Sequence, residues 1–147
     1  MFDELNERII RELSKDSRIS FRELAKKLGV STSTVIQRVR SLERKGVIQG
    51  YSVSFDYERL GYELTAVIEV FARKGKLVEA EEEISQLPQV LAVYDVTGEC
   101  DAVVIAKFKS REQLNKFVKH LLSLKNVERT NTHFVLNVVK EDFSHII

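Results

Sequence analysis

Between residues 31 and 45 the chain gathers hydroxyl, amide and guanidinium groups: Ser31, Thr32, Ser33, Thr34, Gln37, Arg38, Arg40, Ser41, Arg44 and Lys45. Gln can bond an adenine edge with two hydrogen bonds and Arg a guanine edge, provided both project from one exposed face. Hydroxyls and lysines serve phosphate oxygens, which fixes register rather than sequence. Residues 15–45 carry nine Lys and Arg against three Asp and Glu, a net +6, in a chain whose total is only +1. That concentration, more than the total, points to a polyanion such as double-stranded DNA.

These groups must stand on a helix, and the sequence punctuates one. A first helix is expected from about Leu5 to Leu13, burying Leu5, Ile9, Ile10 and Leu13. Ser20-Phe21-Arg22-Glu23 has the spacing of a capping box that opens a second helix, with Phe21, Leu24, Ala25 and Leu28 inward. Gly29 supplies the left-handed residue that ends it. Ser31 then caps the third helix, which buries Val35, Val39 and Leu42 and turns Ser33, Thr34, Gln37, Arg38 and Ser41 outward. Arg40, Arg44 and Lys45 lie on its flanks, and Arg22 joins the DNA-contact candidates from the second helix. A charged face alone equally describes a solvated helix. The tight turn, the capping box and the basic cluster together favour a helix-turn-helix that enters the major groove.

Composition bounds the alternatives. At 147 residues, 44% apolar and 31% charged, the chain has the make-up of a soluble globular protein. No apolar run approaches the roughly 20 residues of a membrane span, and the acidic, amphipathic MFDELNERII is unlike a secretory signal. A single cysteine, Cys100, excludes an intramolecular disulfide and fits a cytoplasmic location. His120, His133 and His145 lack zinc-site spacing, and no glycine-rich phosphate loop or nucleophile elbow occurs. Neither a metal, a cofactor nor an enzymatic activity is expected. The run Glu79/Glu81/Glu82/Glu83 reads as a solvated helix face.

The two halves differ in charge: residues 1–60 hold 12 Lys and Arg against 9 Asp and Glu, residues 61–147 hold 11 against 13. Val47–Phe55 reads as a strand, and DYERLG at 56–61 as a connector. A lone strand cannot satisfy its backbone, so a second subunit's copy is its expected partner. Beyond it the pattern is strand 62–72, helix 76–87, strand 90–97, strand 101–109, helix from a second capping box at Ser110–Gln113, and strand 127–139. That βαββαβ order is ferredoxin-like. The expected organisation is an α+β chain: a (winged) helix-turn-helix over 1–46, a β-strand linker over 47–61, and a ferredoxin-like domain over 62–147. With both helices on one sheet face, the other face is apolar enough to favour packing on a copy of itself, a homodimer.

Several segments carry a family resemblance: Asp16-Ser17-Arg18-Ile19-Ser20, Glu23-Leu24-Ala25, Leu28-Gly29-Val30-Ser31 and residues 38–51, RVRSLERKGVIQGY. Gly98-Glu99-Cys100-Asp101 and Thr130-Asn131-Thr132 fit a G-[DE]-x-D turn and a T-x-T strand. Over nearly its whole length the chain resembles the Lrp/AsnC, or feast/famine, transcription regulators. The resemblance implies dimers joined through the C-terminal sheets, assembly into octamers, and an amino acid or related small metabolite bound between subunits. It makes Gly98, Glu99, Asp101, Thr130, Thr132 and His133 the effector-contact candidates. A turn's N–H groups suit a carboxylate, and acidic side chains with threonine hydroxyls suit an ammonium. Gly98 would equally serve a hairpin turn, and Asp101 its cap. Two other readings share the plan: a sirohaem-decarboxylase-like enzyme subunit, whose helix-turn-helix needs no basic face, and an amino-acid-sensing regulatory subunit.

Overall fold

The computed structural model describes residues 3–143, which divide into two compact units: residues 3–54 with 140–143, and residues 55–139.

The first unit is helical. α1 (Glu4–Lys15), α2 (Phe21–Leu28) and α3 (Thr32–Arg44) enclose a core of Ile9, Leu13, Leu24, Ala25, Leu28, Val35, Val39 and Leu42. The helix starts are fixed by local chemistry. Asp3 caps α1 through the Asn6 N–H, at 2.9 Å. Ser20 and Glu23 form the reciprocal box: Ser20 Oγ accepts from Glu23 N at 3.1 Å, and Glu23 Oε2 accepts from Ser20 N at 3.3 Å. Gly29, at φ +71°, ends α2 in the left-handed region that a side chain would strain. Phe21, expected inward, is 37% exposed and outside the core. It occupies the first helical position, where the chain has only begun to turn toward its neighbours.

The second unit is βαββαβ: β1 (Leu64–Ala72), α4 (Leu77–Ser85), β2 (Val90–Asp95), β3 (Ala102–Phe108), α5 (Arg111–Ser123) and β4 (Val127–Phe134). All neighbours in the sheet are antiparallel, in the order β2-β3-β1-β4, the ferredoxin-like arrangement. Register assigns the faces. Ala66, Ile68 and Val70 of β1 lie opposite Ala106, Val104 and Ala102 of β3, and this set packs with Ala80 and Ile84 of α4 and Leu114, Phe117 and Leu121 of α5. Phe108 is fully buried there, its ring 5.1 Å from that of Phe117.

The opposite, open face carries Thr65, Val67, Glu69 and Phe71 beside Val103, Ile105 and Lys107. Lys107 is buried on it, its ammonium 3.1 Å from Thr65 Oγ1 and 5.1 Å from the centre of the Tyr57 ring.

Two expectations need correction, and a third depends on a second subunit. Residues 47–55 form no strand within the single chain, because no strand among the described residues pairs with them. An alternating apolar pattern favours extension, but only a neighbour makes a ladder. β4 stops at Phe134 rather than 139, since Phe134 pairs with Ala66 and its partner β1 begins at Leu64. The second capping box is not reciprocal. Ser110 Oγ accepts from Gln113 N at 3.2 Å, but Gln113 Oε1 takes the Lys109 N–H at 3.0 Å, one residue early.

Candidate functional site

α3 displays its polar groups as a single local geometry. Ser31 Oγ caps the helix through Thr34 N at 3.1 Å and lies 2.9 Å from Ser33 Oγ and 2.7 Å from Thr34 Oγ1. The first turn contains no acidic residue, so apart from the Ser31 cap its positive dipole end is offset by no carboxylate, which suits a phosphate. Thr32, Ser33, Gln37, Arg40, Arg44 and Lys45 are exposed, as is Arg22 in the first turn of α2. Thr34, Arg38 and Ser41 are half-buried.

Arg38 departs from its expected outward position. Counting by threes and fours, Val35, Arg38 and Leu42 share one side of α3, whereas Ser33, Gln37, Arg40 and Arg44 share the other. Its guanidinium therefore turns toward α1, where Nη1 pairs with Asp3 Oδ2 and reaches Asn6 Oδ1 at 3.5 Å. The Asn6 N–H and then the Arg38 guanidinium hold the Asp3 carboxyl below the usual carboxylate range.

In the sheet unit the candidate residues come from separate elements. Gly98, at φ +124°, and Glu99 are exposed in the loop between β2 and β3. Asp101 ties that loop to the end of β1: its N–H donates to Val70 O at 3.0 Å, and its Oδ2 accepts from Ala72 N at 2.8 Å. Thr130 lies opposite Val70 and Thr132 opposite Ile68, so both hydroxyls are on the helix side of the sheet. His133 lies opposite Val67, on the open face, with Nε2 3.0 Å from Glu69 Oε2. Asn131 Nδ2 donates to the same oxygen at 2.6 Å. His133, then Asn131, lowers the Glu69 pKa. The fold thus brings Asp101 and Thr130 to either side of Val70 and turns His133 away from them.

One carboxylate read as solvated is only partly so. Glu79 pairs with Lys76 at 2.9 Å, and Glu82 and Glu83 are exposed. Glu81 turns inward, and its Oε1 is buried with no hydrogen-bond partner among the described residues. Burial first, then the charges of Asp95 and Asp101, push its pKa up. The signal lay in the spacing: Glu81 stands four residues after Leu77 and three before Ile84, on the buried stripe of α4. Among the described residues, no helix is long and apolar enough to cross a membrane.

Comparisons with known proteins cover both units. Residues 2–49 match a family described as winged helix-turn-helix DNA-binding, and residues 65–144 match the Lrp/AsnC ligand binding domain. An uncharacterised HTH-type transcriptional regulator of Pyrococcus abyssi is 54% identical over 97% of each chain. The HTH-type transcriptional regulator FL11 of Pyrococcus horikoshii is 37% identical, over 95% of this chain and 92% of its own. Among solved structures, a Neisseria meningitidis transcriptional regulator in complex with L-Met superposes with a TM-score of 0.89 at 28% identity, over 98% of this chain and 96% of that one. LrpC of B. subtilis gives 0.86 at 28% identity, over 97% and 99%.

Proposed function

The chain belongs to the Lrp/AsnC family of transcriptional regulators, and from that membership we propose that it reads double-stranded DNA with α3 under the control of an amino acid or related small metabolite. Residues 1–46 are the DNA-reading domain, 47–61 the linker, and 62–147 the effector and assembly domain. The observation that carries the reading is the exposed row of Ser33, Gln37, Arg40 and Arg44 on a capped helix with no acid in its first turn. In this reading Gln37 bonds a base edge, and Arg22, Thr32, Arg40, Arg44 and Lys45 contact phosphates, which supply a large share of the affinity and its salt dependence.

Two such helices about 34 Å apart would read a palindrome, which a homodimer supplies. The half-buried apolar groups of the open sheet face, Val67, Phe71, Val103 and Ile105, support dimerisation through that face. Pairing of residues 47–55 with their copy, further assembly to an octamer, and a cytoplasmic location without catalysis complete the reading. The effector sits at the loop of Gly98, Glu99 and Asp101 with Thr130 and Thr132. His133, on the other sheet face, is the remaining effector candidate. The L-Met complex of the Neisseria relative supports the chemical class. Effector binding shifts assembly or head spacing, and DNA affinity changes by the same coupling.

The test begins with a DNA sequence selected from a random pool by the full chain. Its binding is followed by fluorescence anisotropy across a salt series, alone and with each of the twenty amino acids at 1 mM, roughly the concentration scale of weak metabolite sensing. The reading predicts a steep salt dependence that Lys45→Ala flattens by about one unit. It also predicts that at least one amino acid changes affinity and raises the melting temperature. No selected sequence, or affinity blind to every amino acid, would refute the corresponding half.

A further inference from the structure

Arg38 has the side chain best suited to reading guanine, yet its guanidinium is already engaged. Asp3 divides its two oxygens: Oδ1 takes the Asn6 N–H and caps α1, while Oδ2 pairs with Arg38 Nη1. The same Nη1 reaches the Asn6 side-chain oxygen. One carboxylate therefore joins the start of α1 to the middle of α3. The side chains are 46% and 38% exposed, so the pair is neither buried nor free in solvent. Its position follows from helical periodicity, since Arg38 lies on the stripe of Val35 and Leu42 and both of those are in the core. Turning Arg38 into a groove would require breaking the pair and leaving Asp3 without its cation.

We infer that Arg38 and Asp3 are positioning residues for DNA recognition: they fix the recognition helix against α1, and base reading falls to the opposite stripe of Ser33, Gln37, Arg40 and Arg44. This rests on the proposed reading of α3 as a DNA-binding helix and deepens it by separating the residue that orients the helix from those that read. The geometry also sets a sign. If Arg38 were a DNA ligand held in reserve, Asp3 would compete with DNA for it, and removing that carboxylate would strengthen binding. As a brace, the pair is needed, and removing the carboxylate weakens binding even though it deletes a negative charge near a polyanion.

Asp3→Asn is the variant of choice, because Asn caps a helix about as well as Asp. Full-length protein, Asp3→Asn, Arg38→Gln and the double variant would be compared by anisotropy on the selected sequence and on its single-base variants. Circular dichroism would establish that each is folded at the assay temperature. The expected result is an about two- to fivefold loss for Asp3→Asn, the range a half-exposed ion pair supports. The double variant should be no weaker than the worse single one, and base preference should be unchanged at every position. Stronger or unaltered binding by Asp3→Asn overturns the inference. Preference relaxed at one base pair by Arg38→Gln but not by Asp3→Asn also overturns it, since that is the mark of direct reading. Absence of any DNA binding by the unmodified chain overturns the regulator reading and this inference together.

Discussion

The helical unit and the sheet unit hold their candidate contacts by opposite means. On α3 the exposed row from Ser33 to Arg44 belongs to one helix of 13 residues, whose start is fixed by Ser31 three residues from Thr34. In the sheet unit, Asp101 and Thr130 are 29 positions apart in the sequence and flank the same strand only because β1 pairs with β3 on one side and β4 on the other. A site of the first kind depends on short-range hydrogen bonds and one packed stripe. A site of the second kind is only as well defined as its central strand. Recognition of a fixed DNA surface suits the first, and adjustment by a small ligand suits the second, where a shift in one strand moves several contacts at once.

The most severe test of that contrast is a cavity beneath the sheet. Phe108 is fully buried against Phe117 and ends β3 opposite Leu64 of β1. Phe108→Ala should cost about 3–5 kcal/mol. Each unit has a core of its own, so the loss should be confined to one of them. Hydrogen exchange should show lost protection in β1, β3 and β4, with α1 to α3 unchanged. Equal loss in both units would show that they unfold as one cooperative block, and the contrast would fail.

The same contrast decides how much of the molecule is legible in its sequence. The caps at Ser20 and Ser31, the turn at Gly29 and the βαββαβ order all follow from signals that act within four residues or from simple periodicity. Arg38 is turned toward α1 rather than fully outward, because its helical position beside Val35 and Leu42 outweighs what its residue type suggests. The position was legible beside Val35 and Leu42, but the presence of Asp3 opposite it was not. Thr130, Thr132 and His133 form a continuous motif in sequence, yet strand alternation sends the hydroxyls to one face and the imidazole to the other. Residues 49–56 show the remaining limit. Their composition favours extension, but pairing depends on another chain segment, and nothing within the chain's own pattern specifies it.

A finer comparison lies in the two Ser-x-x-Glu/Gln starts. Loss of either serine, Ser20→Ala or Ser110→Ala, should cost about 1 kcal/mol, since each accepts one otherwise unpaired backbone N–H. The partners should behave differently. Glu23 bonds both the N–H and the hydroxyl of Ser20, whereas Gln113 serves Lys109. Urea denaturation of single and double alanine variants should therefore give a coupling of about 0.5 kcal/mol or more for Ser20 with Glu23. Ser110 and Gln113 should add within about 0.3 kcal/mol. Equal coupling in both pairs would mean that the shift of Gln113 to Lys109 has no energetic consequence.

The smallest effect separates the units by pH. Asp3, in the helical unit, has its carboxyl pKa lowered by the Asn6 N–H and Arg38, so its ionised form is favoured by folding. Its contribution is present above the unfolded carboxylate value and is lost as pH falls through the lower folded one. Glu81, in the sheet unit, is raised by burial and by Asp95 and Asp101, so folding favours its protonated form. Below both of its pKa values it costs nothing. As pH rises past the unfolded value toward the folded one, the native state holds the proton that the unfolded state releases, and stability falls. Above both, the penalty is complete. Glu81→Gln removes the charge while keeping the shape, so it should raise stability at pH 7 by about 0.5 kcal/mol, the scale of a partly exposed substitution. That gain should vanish below pH of about 4, where the wild-type carboxyl is protonated in both states. Thermal melts of the two proteins at pH 4 and pH 7 would measure it. A loss at pH 7 would mean that the Glu81 carboxylate has a stabilising partner, and the sheet unit would then share the charge logic of the helical one.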